Sequence, residues 1–577
     1  MKVWMSSRRG FAASRRDGRV GTRPSVPTSP RAKAVERWLW RLCLLWPLAL
    51  LLVFFALPML AIAWHSLIDD ATGTIGASNY AAVLRAPRVW HAAWNSAVLG
   101  VTATAFALML GFVLAYGIER TAMRGKRLVT AAMALPVLAP SLVLGLGLIF
   151  LLGRNGIVGR LTGTRPDIYG FWGLVLADVL YALPEAVLIL RAALRRGDAS
   201  QHEAAQLLGA GAWRRFLDVT MPGARYGLGR AAFVVFTVTI TDFGNAVVIG
   251  GDYPLLATEL YNQVSGQMHL GMGAVVGMLL LLPAALCVLA DRRLERIPAG
   301  SHADARHHSA PVPECARDLC FSAATLSIAA AIAVVIGTVV LASFVQLWPY
   351  RFDWTLRHYA LVLADGLGSL WFSVKVSAVA AAVGTVGIFS LAYGMRRATG
   401  GYATLAGFLV AAPVTVPGLV LGLGYLFAFN APVLSLGTLY GSAALLVCCN
   451  IVHYYTQGHA MVATGLRFVP AALEDAVTVL GGGTGAALRD VYLPALSATL
   501  GGLAAFLFMR SMVTLSAVIF LVTPDLPLAA VAVMRLDEAG FTAQAAAFST
   551  CIMVTVAASL IVFHGCSARA MRARRPR

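Results

Sequence analysis

Twelve stretches of roughly 20 mostly apolar residues run through the chain, at 42–64, 95–117, 130–152, 171–190, 228–249, 271–290, 319–345, 372–394, 403–428, 439–457, 498–521 and 541–564. A helix rises about 1.5 Å per residue, so each stretch is long enough to cross a hydrocarbon layer ~30 Å thick. In that layer a backbone N–H or C=O finds no water, and only a structure that bonds internally is tolerated. The runs are about twice the length of membrane-barrel strands, which leaves helices. Composition agrees: of 577 residues 59% are hydrophobic and 13% charged, too little polar surface to cover a water-soluble body of this size. A cytosolic enzyme, a disordered chain and a secreted disulfide scaffold all fit badly. The expectation is an all-α polytopic membrane protein with about twelve transmembrane helices, in two sets of six.

Charge gives the orientation. Lys and Arg number 46 against 27 acids. With the N-terminus inside, 36 of those 46 cations fall on the inner side, among them Arg120, Arg124, Lys126, Arg127, Arg191, Arg195, Arg214 and Arg215. That bias places both termini on the inner, cytoplasmic side. It also accounts for most of the formal net charge of +19, which leaves nothing for nucleic acid to explain. The first apolar run starts some 40 residues in and is too long for a signal-peptide core, so it reads as a retained helix. The expected organisation is a basic cytoplasmic tail (1–41), a first transmembrane domain (42–290), a cytoplasmic linker (291–318), a second transmembrane domain (319–564) and a basic tail (565–577). His302, His307 and His308 in the linker read as solvated residues and not as metal ligands.

The halves repeat. Residues 134–150, ALPVLAPSLVLGLGLIF, and 411–427, AAPVTVPGLVLGLGYLF, are identical at eleven of seventeen positions at an offset of 277. The same offset sets Ala115-Tyr116-Gly117 on Ala392-Tyr393-Gly394. Past the fourth span the offset becomes 272. Two like-oriented six-helix sets related by an axis along the membrane normal enclose a pathway between them, the architecture of a transporter.

Each half carries a long polar loop between its fourth and fifth spans, DASQHEAAQLLGAGAWRRFLDVTMPG and VPAALEDAVTVLGGGTGAALRDVYLPA. An acid is followed six residues on by a glycine, and thirteen after that by a proline. The pattern predicts a short helix carrying Ala204, Ala205, Leu207 and Leu208 as an apolar patch, a glycine turn, and a second short helix ended by the proline. These loops resemble the EAA loop of binding-protein-dependent ABC importer permeases, and the chain resembles a fused two-domain member of that family. The resemblance implies a coupling helix seated on an ATP-binding subunit. It assigns that role to Glu203, Ala204, Ala205, Gly209 and Pro222 in the first loop, and to Asp475, Ala476, Gly481 and Pro494 in the second. Asp475 and Val477 stand where the family has Glu and Ala, and Met221 where it has Leu.

No G-x-x-x-x-G-K-[ST] pattern occurs, so no P-loop holds ATP in this chain. The chain is then no enzyme, and it binds no cofactor. ATP and magnesium belong on two copies of a partner subunit, and a periplasmic binding protein supplies substrate. The reading from another class is a secondary carrier driven by an ion gradient, for which Asp178, Glu185 and Asp242 are the candidate buried acids.

Polar residues within spans mark a candidate translocation path: Asp242 and Asn245 in the fifth span, and Arg510, Thr514 and Ser516 in its repeat. The alternative to a path is that Asp242 and Arg510 form a helix-helix pair or are water-facing ends. Pro136 and Pro140, and Pro413 and Pro417, free backbone carbonyls and are expected to kink the third helix of each half and help it gate, or else to shape its packing. Gly145, Gly147, Gly422 and Gly424 permit close helix approach. By resemblance, the stretches TDFGNAVVIGGDYPLLATELY and SMVTLSAVIFLVTPDLPLAAVAV are similar to permeases assigned to 2-aminoethylphosphonate. Ferric-iron permeases are the alternative, with Tyr253, Glu259 and Tyr261 as the iron-facing candidates. No metal site is expected in the chain itself.

Overall fold

The structure is a computed structural model that describes residues 30–70, 72–164, 166–196, 199–295, 313–396, 398, 400–430 and 439–573. The N-terminal tail to residue 29, the linker core with its three histidines, Asp198 and the last four residues lie outside it. The described chain is almost wholly helical. One antiparallel pair, Val345–Leu347 with Arg351–Trp354, follows the first helix of the second half. A single bridge, Ile68 to Ile75, stands at the same place in the first half.

Among the described residues, eight helices are long and apolar enough to cross a membrane, or up to ten when each of two bent pairs counts as one crossing. Twelve uninterrupted spans are not what forms, and the reasons are local. Lys126–Ala134 and Leu142–Leu152 are separate helices, divided by a 3-10 turn at Pro136–Leu138. In the second half Gly400–Thr415 and Gly418–Phe429 meet at 114°. Each break holds two prolines four apart, which remove two helical N–H donors in one turn. The prolines therefore break the third span instead of merely kinking it. The fifth span stops at Ile240 and resumes as Gly244–Ile249. The tenth is Ala443–His453, followed by a separate Tyr455–Arg467 helix. Its repeat in the first half, Phe171–Arg196, is one unbroken helix.

The first helix of each half packs across onto the other half as well as on its own. Trp38–His65 packs on Arg357–Met395 and Gly418–Phe429 of the second half, and Cys315–Ser343 packs on Pro87–Arg120, Lys126–Ala134 and Leu142–Leu152 of the first. Repeated glycines receive both. A Cβ on Gly117 would sit 3.0 Å from Thr325 Cγ2, and one on Gly394 3.0 Å from Leu44 Cα. One on Gly147 would sit 2.6 Å from the Val335 carbonyl oxygen, and one on Gly424 2.9 Å from that of Pro58. The glycines are notches, and dispersion across them replaces the hydrophobic drive that lipid does not supply. Trp40 Nε1 adds a hydrogen bond to the Gly394 carbonyl at 3.0 Å.

Three of the four π turns among the described residues, Leu52–Ala56, Phe216–Thr220 and Leu488–Tyr492, each end one residue before an X-Pro step, at Pro58, Pro222 and Pro494. A proline ring collides with the carbonyl four residues back, and it cannot donate to it. Widening the preceding turn by one residue moves that carbonyl away. The helix thus runs on past Pro58 and Pro222, whereas past Pro494 it reaches only Ala495 and bends by 71° before Ser497.

Candidate functional site: paired loops and a polar seam between the halves

The two loops fold alike. Ala199–Leu207 ends at Gly209 (φ +77°), and Ala471–Val479 ends at Gly481 (φ +81°). Gly209 N–H donates to Gln206 O at 3.0 Å and Ala210 N–H to Ala205 O at 2.9 Å. In the second loop Gly481 N–H donates to Thr478 O at 3.0 Å and Gly482 N–H to Val477 O at 2.8 Å. This is the six-to-one, five-to-two closure of a helix on a left-handed residue, which is why glycine stands there. Neither glycine has a heavy atom within 4 Å of where a Cβ would stand. In the first loop the second short helix is not ended by the proline, contrary to expectation; in the second it ends at Ala495, one residue past Pro494, and a 71° bend separates it from Ser497–Val513. Ala212–Arg215 and Thr484–Ala487 lead through the π turns into Met221–Ile240 and Leu493–Ala495.

Glu203 and Ala204 are exposed, with Ala205 half-buried; Asp475 and Ala476 are exposed, with Val477 half-buried. Leu207, Leu208 and Leu480, at 89%, 87% and 87%, are the three most exposed large apolar side chains among the described residues. All three sit at the helix ends of these loops, and Leu480 is joined there by Val479, 65% exposed. The loops are anchored differently. Tyr492 OH donates to Glu474 Oε2 at 2.6 Å and accepts from Arg396 at 2.9 Å. The position of Glu474 is occupied in the first loop by His202, which burial, then Arg120 and Arg215, hold below the ordinary histidine pKa.

Between the halves lies a polar seam. Asn245, fully buried, donates to Asp178 Oδ1 at 3.1 Å and accepts from Gly145 N–H at 3.2 Å. Asp242 Oδ2 accepts from Asn245 N–H at 2.9 Å and so caps the helix that restarts the fifth span. Arg510 is not paired with Asp242. It reaches Glu185 of the first half, Nη2 to Oε1, at 2.5 Å. Its guanidinium lies 5.9 Å from the ring centres of both Tyr454 and Phe506. Thr514, buried, donates to the Arg510 carbonyl at 2.6 Å and lies 2.8 Å from Tyr454 OH. Ser516 packs against Gly418.

The predicted path residues thus gather in two clusters: Asp242 and Asn245 with Asp178, and Arg510 and Thr514 with Glu185 and Tyr454. Tyr454, Ser141 and Gly418 were missed as members of the seam. The repeat carried the signal, because offset 277 sets Ser141 on Gly418 while offset 272 sets Gly244 on Ser516. The iron-facing candidates do not converge. Glu259 is buried and takes Arg88 at 2.9 Å and Gln263 at 2.8 Å, and Tyr261 packs between Phe243 and Phe520. Among the described residues no group of three His, Cys, Asp or Glu side chains gathers to hold a metal.

The family described as binding-protein-dependent transport system inner membrane component matches residues 107–296. A ferric transport system permease protein of Actinobacillus pleuropneumoniae is 26% identical over 487 residues, covering 81% of this chain and 69% of that protein. A molybdenum transport system permease protein of Azotobacter vinelandii is 35% identical over 175 residues, 29% of this chain and 76% of that protein. A probable sulfate transport system permease protein of Prototheca wickerhamii is 28% identical over 247 residues, 42% of this chain and 91% of that protein. Two repeats, paired loops with matched glycine turns and these relatives agree: the chain belongs to the family of binding-protein-dependent transport system inner membrane components.

Proposed function

We propose that this permease passes ferric iron inward, driven by ATP hydrolysed on two copies of a separate subunit, with magnesium, and supplied by a periplasmic binding protein. The extent of the match carries the iron reading. The ferric relative spans 81% of this chain, both halves included, whereas the molybdenum and sulfate relatives cover 29% and 42%. The 2-aminoethylphosphonate reading has no such support from the relatives found, and its Arg510–Asp242 wall is replaced by Arg510–Glu185.

The loop role rests on the exposure of Leu207 and Leu208 in one loop and of Val479 and Leu480 in the other. A side chain of that kind is covered by a partner, and the ATP-binding subunit is the partner such a family requires. The basic bias puts the loops and both termini in the cytoplasm, with the two transmembrane domains at 42–290 and 319–564. Closure of the ATPase pair would draw both loops together and tip the halves apart on the outer side, a two-state cycle whose bias is ATP. A gradient-driven carrier would leave both loops without work. The test is uptake by proteoliposomes holding the permease, its ATPase and its binding protein. Ferric iron should enter only with ATP, and 2-aminoethylphosphonate should not. Uptake of the phosphonate with iron excluded would replace the cargo, and ATP-independent uptake would remove the mechanism.

A further inference from the structure

We propose that a basic pocket at the loop end of the first half binds the phosphate headgroup of an anionic phospholipid. The pocket, about 540 Å³, lies where Pro87–Arg120 and Phe171–Arg196 end and Lys126–Ala134 begins. Lys126, Arg127, Arg191 and Arg195 line it, with Glu119 as its acid. Glu119 accepts from Arg191 Nε at 2.6 Å and from Arg195 Nε at 2.8 Å. One carboxylate thereby fixes two guanidinium planes, and most of their N–H donors remain for an oxyanion. Lys126 Nζ is held over the pocket by the Thr121 carbonyl at 2.6 Å.

Position selects lipid over a soluble anion. The pocket sits at the ends of two helices long and apolar enough to cross a membrane, and the basic ends of such helices lie near the headgroups. Its wall includes apolar Ile118 and Ala131, and the neighbouring Leu128 is 64% exposed. A headgroup phosphate among the cations would carry its acyl chains along that apolar side. The repeat adds an independent observation. At offsets 277 and 272, Lys126, Arg127 and Arg191 face Ala403, Thr404 and Ala463, Glu119 faces Arg396, and only Arg195 has a basic counterpart, Arg467. Three of the four cations and the acid are thus particular to the first half, so the cluster is no part of what the repeat shares. Phe171–Arg196 leads directly into the first loop, so a bound headgroup stiffens that loop alone.

The test uses the full permease complex in nanodiscs of phosphatidylcholine, with or without phosphatidylglycerol, reading lipid retention by native mass spectrometry and melting temperature. Phosphatidylglycerol should be retained and should raise the melting temperature. Lys126→Gln with Arg127→Gln should weaken retention roughly 30-fold, at about 1 kcal/mol per basic residue facing an anionic surface. Equal retention by wild type and variant overturns the site. So does equal protection of phosphatidylcholine discs by inorganic phosphate, which would make the ligand a soluble anion. Loss of the ATPase subunit from the variant in phosphatidylcholine would make the patch a protein contact and overturn it as well.

Discussion

Arg510 of the second half and Glu185 of the first, 325 residues apart in sequence, close an ion pair across the seam between the halves. A charge left alone in such a place is expensive, about 3–5 kcal/mol when fully buried. Here Arg510 is 17% and Glu185 30% exposed, so we expect roughly half that. Glu185→Gln and Arg510→Gln should each lower the melting temperature of the purified complex and reduce uptake. The exchange Glu185→Arg with Arg510→Glu should recover part of both. If each single variant matches wild type in melting and uptake, the pair has no role in joining the halves.

The seam contains a second reciprocal relation. Ser141 packs on Gly244 in the first half, and Ser516 packs on Gly418 in the second. The serine and the glycine have changed places between the repeats. A Cβ on Gly418 would overlap Ser516 Oγ and stand 3.1 Å from Ala517 N. Gly418→Ser should therefore cost about 1–3 kcal/mol by overpacking. Adding Ser516→Gly recreates the first-half arrangement and should return most of that. Thermal melting of the three variants decides: a double variant no more stable than Gly418→Ser means the two sites are not in register.

Much of this could be read from the sequence, and what could not has a physical reason. Gly117, Gly147, Gly394 and Gly424 repeat at offset 277, which identifies them as close-approach positions. Nothing local says that the helix approaching each comes from the other half, since a notch does not name its occupant. The closing glycines Gly209 and Gly481 were legible because a left-handed residue is a backbone demand, fixed within six residues. Pro222 was misread because the π turn that accommodates it has no signature in hydropathy. The span count differs at the fifth and tenth runs, where helices close at Ile240 and His453 although hydropathy over 228–249 and 439–457 runs on. Pro136, Pro140, Pro413 and Pro417 break the third run of each half without removing a crossing. The partner of Arg510 depended on packing between halves, where Glu185 and Asp242 are equal candidates to any pattern.

Gly209→Ala and Gly481→Ala test the loops with little collateral damage. No heavy atom lies within 4 Å of the added methyl in either loop, so the cost is conformational, about 1–2 kcal/mol at positive φ. That frays one short helix and leaves the spans intact. We expect unchanged melting of the transmembrane body, with ATPase activity in the assembled complex no longer stimulated by loaded binding protein. Normal stimulation in both variants would show that the shape of the loop end is irrelevant to coupling.

His202 makes the first loop acid-sensitive, and the second loop, with Glu474 in its place, lacks that titration. Burial, then the nearby Arg120 and Arg215, favour the neutral ring and hold its pKa below the ordinary histidine value. A depressed folded pKa means the folded loop binds its proton more weakly than the unfolded one. Its contribution to loop stability is therefore complete above about pH 6.5 and is lost as pH falls through the lowered value. Amide hydrogen exchange over residues 200–210, measured from pH 7.5 to 5 and corrected for intrinsic rates, should show protection falling on the acid side. Residues 472–482 should not share that fall. His202→Gln keeps a polar, uncharged side chain and should flatten the profile of the first loop; a profile that still falls in that variant would assign the acid sensitivity to another group.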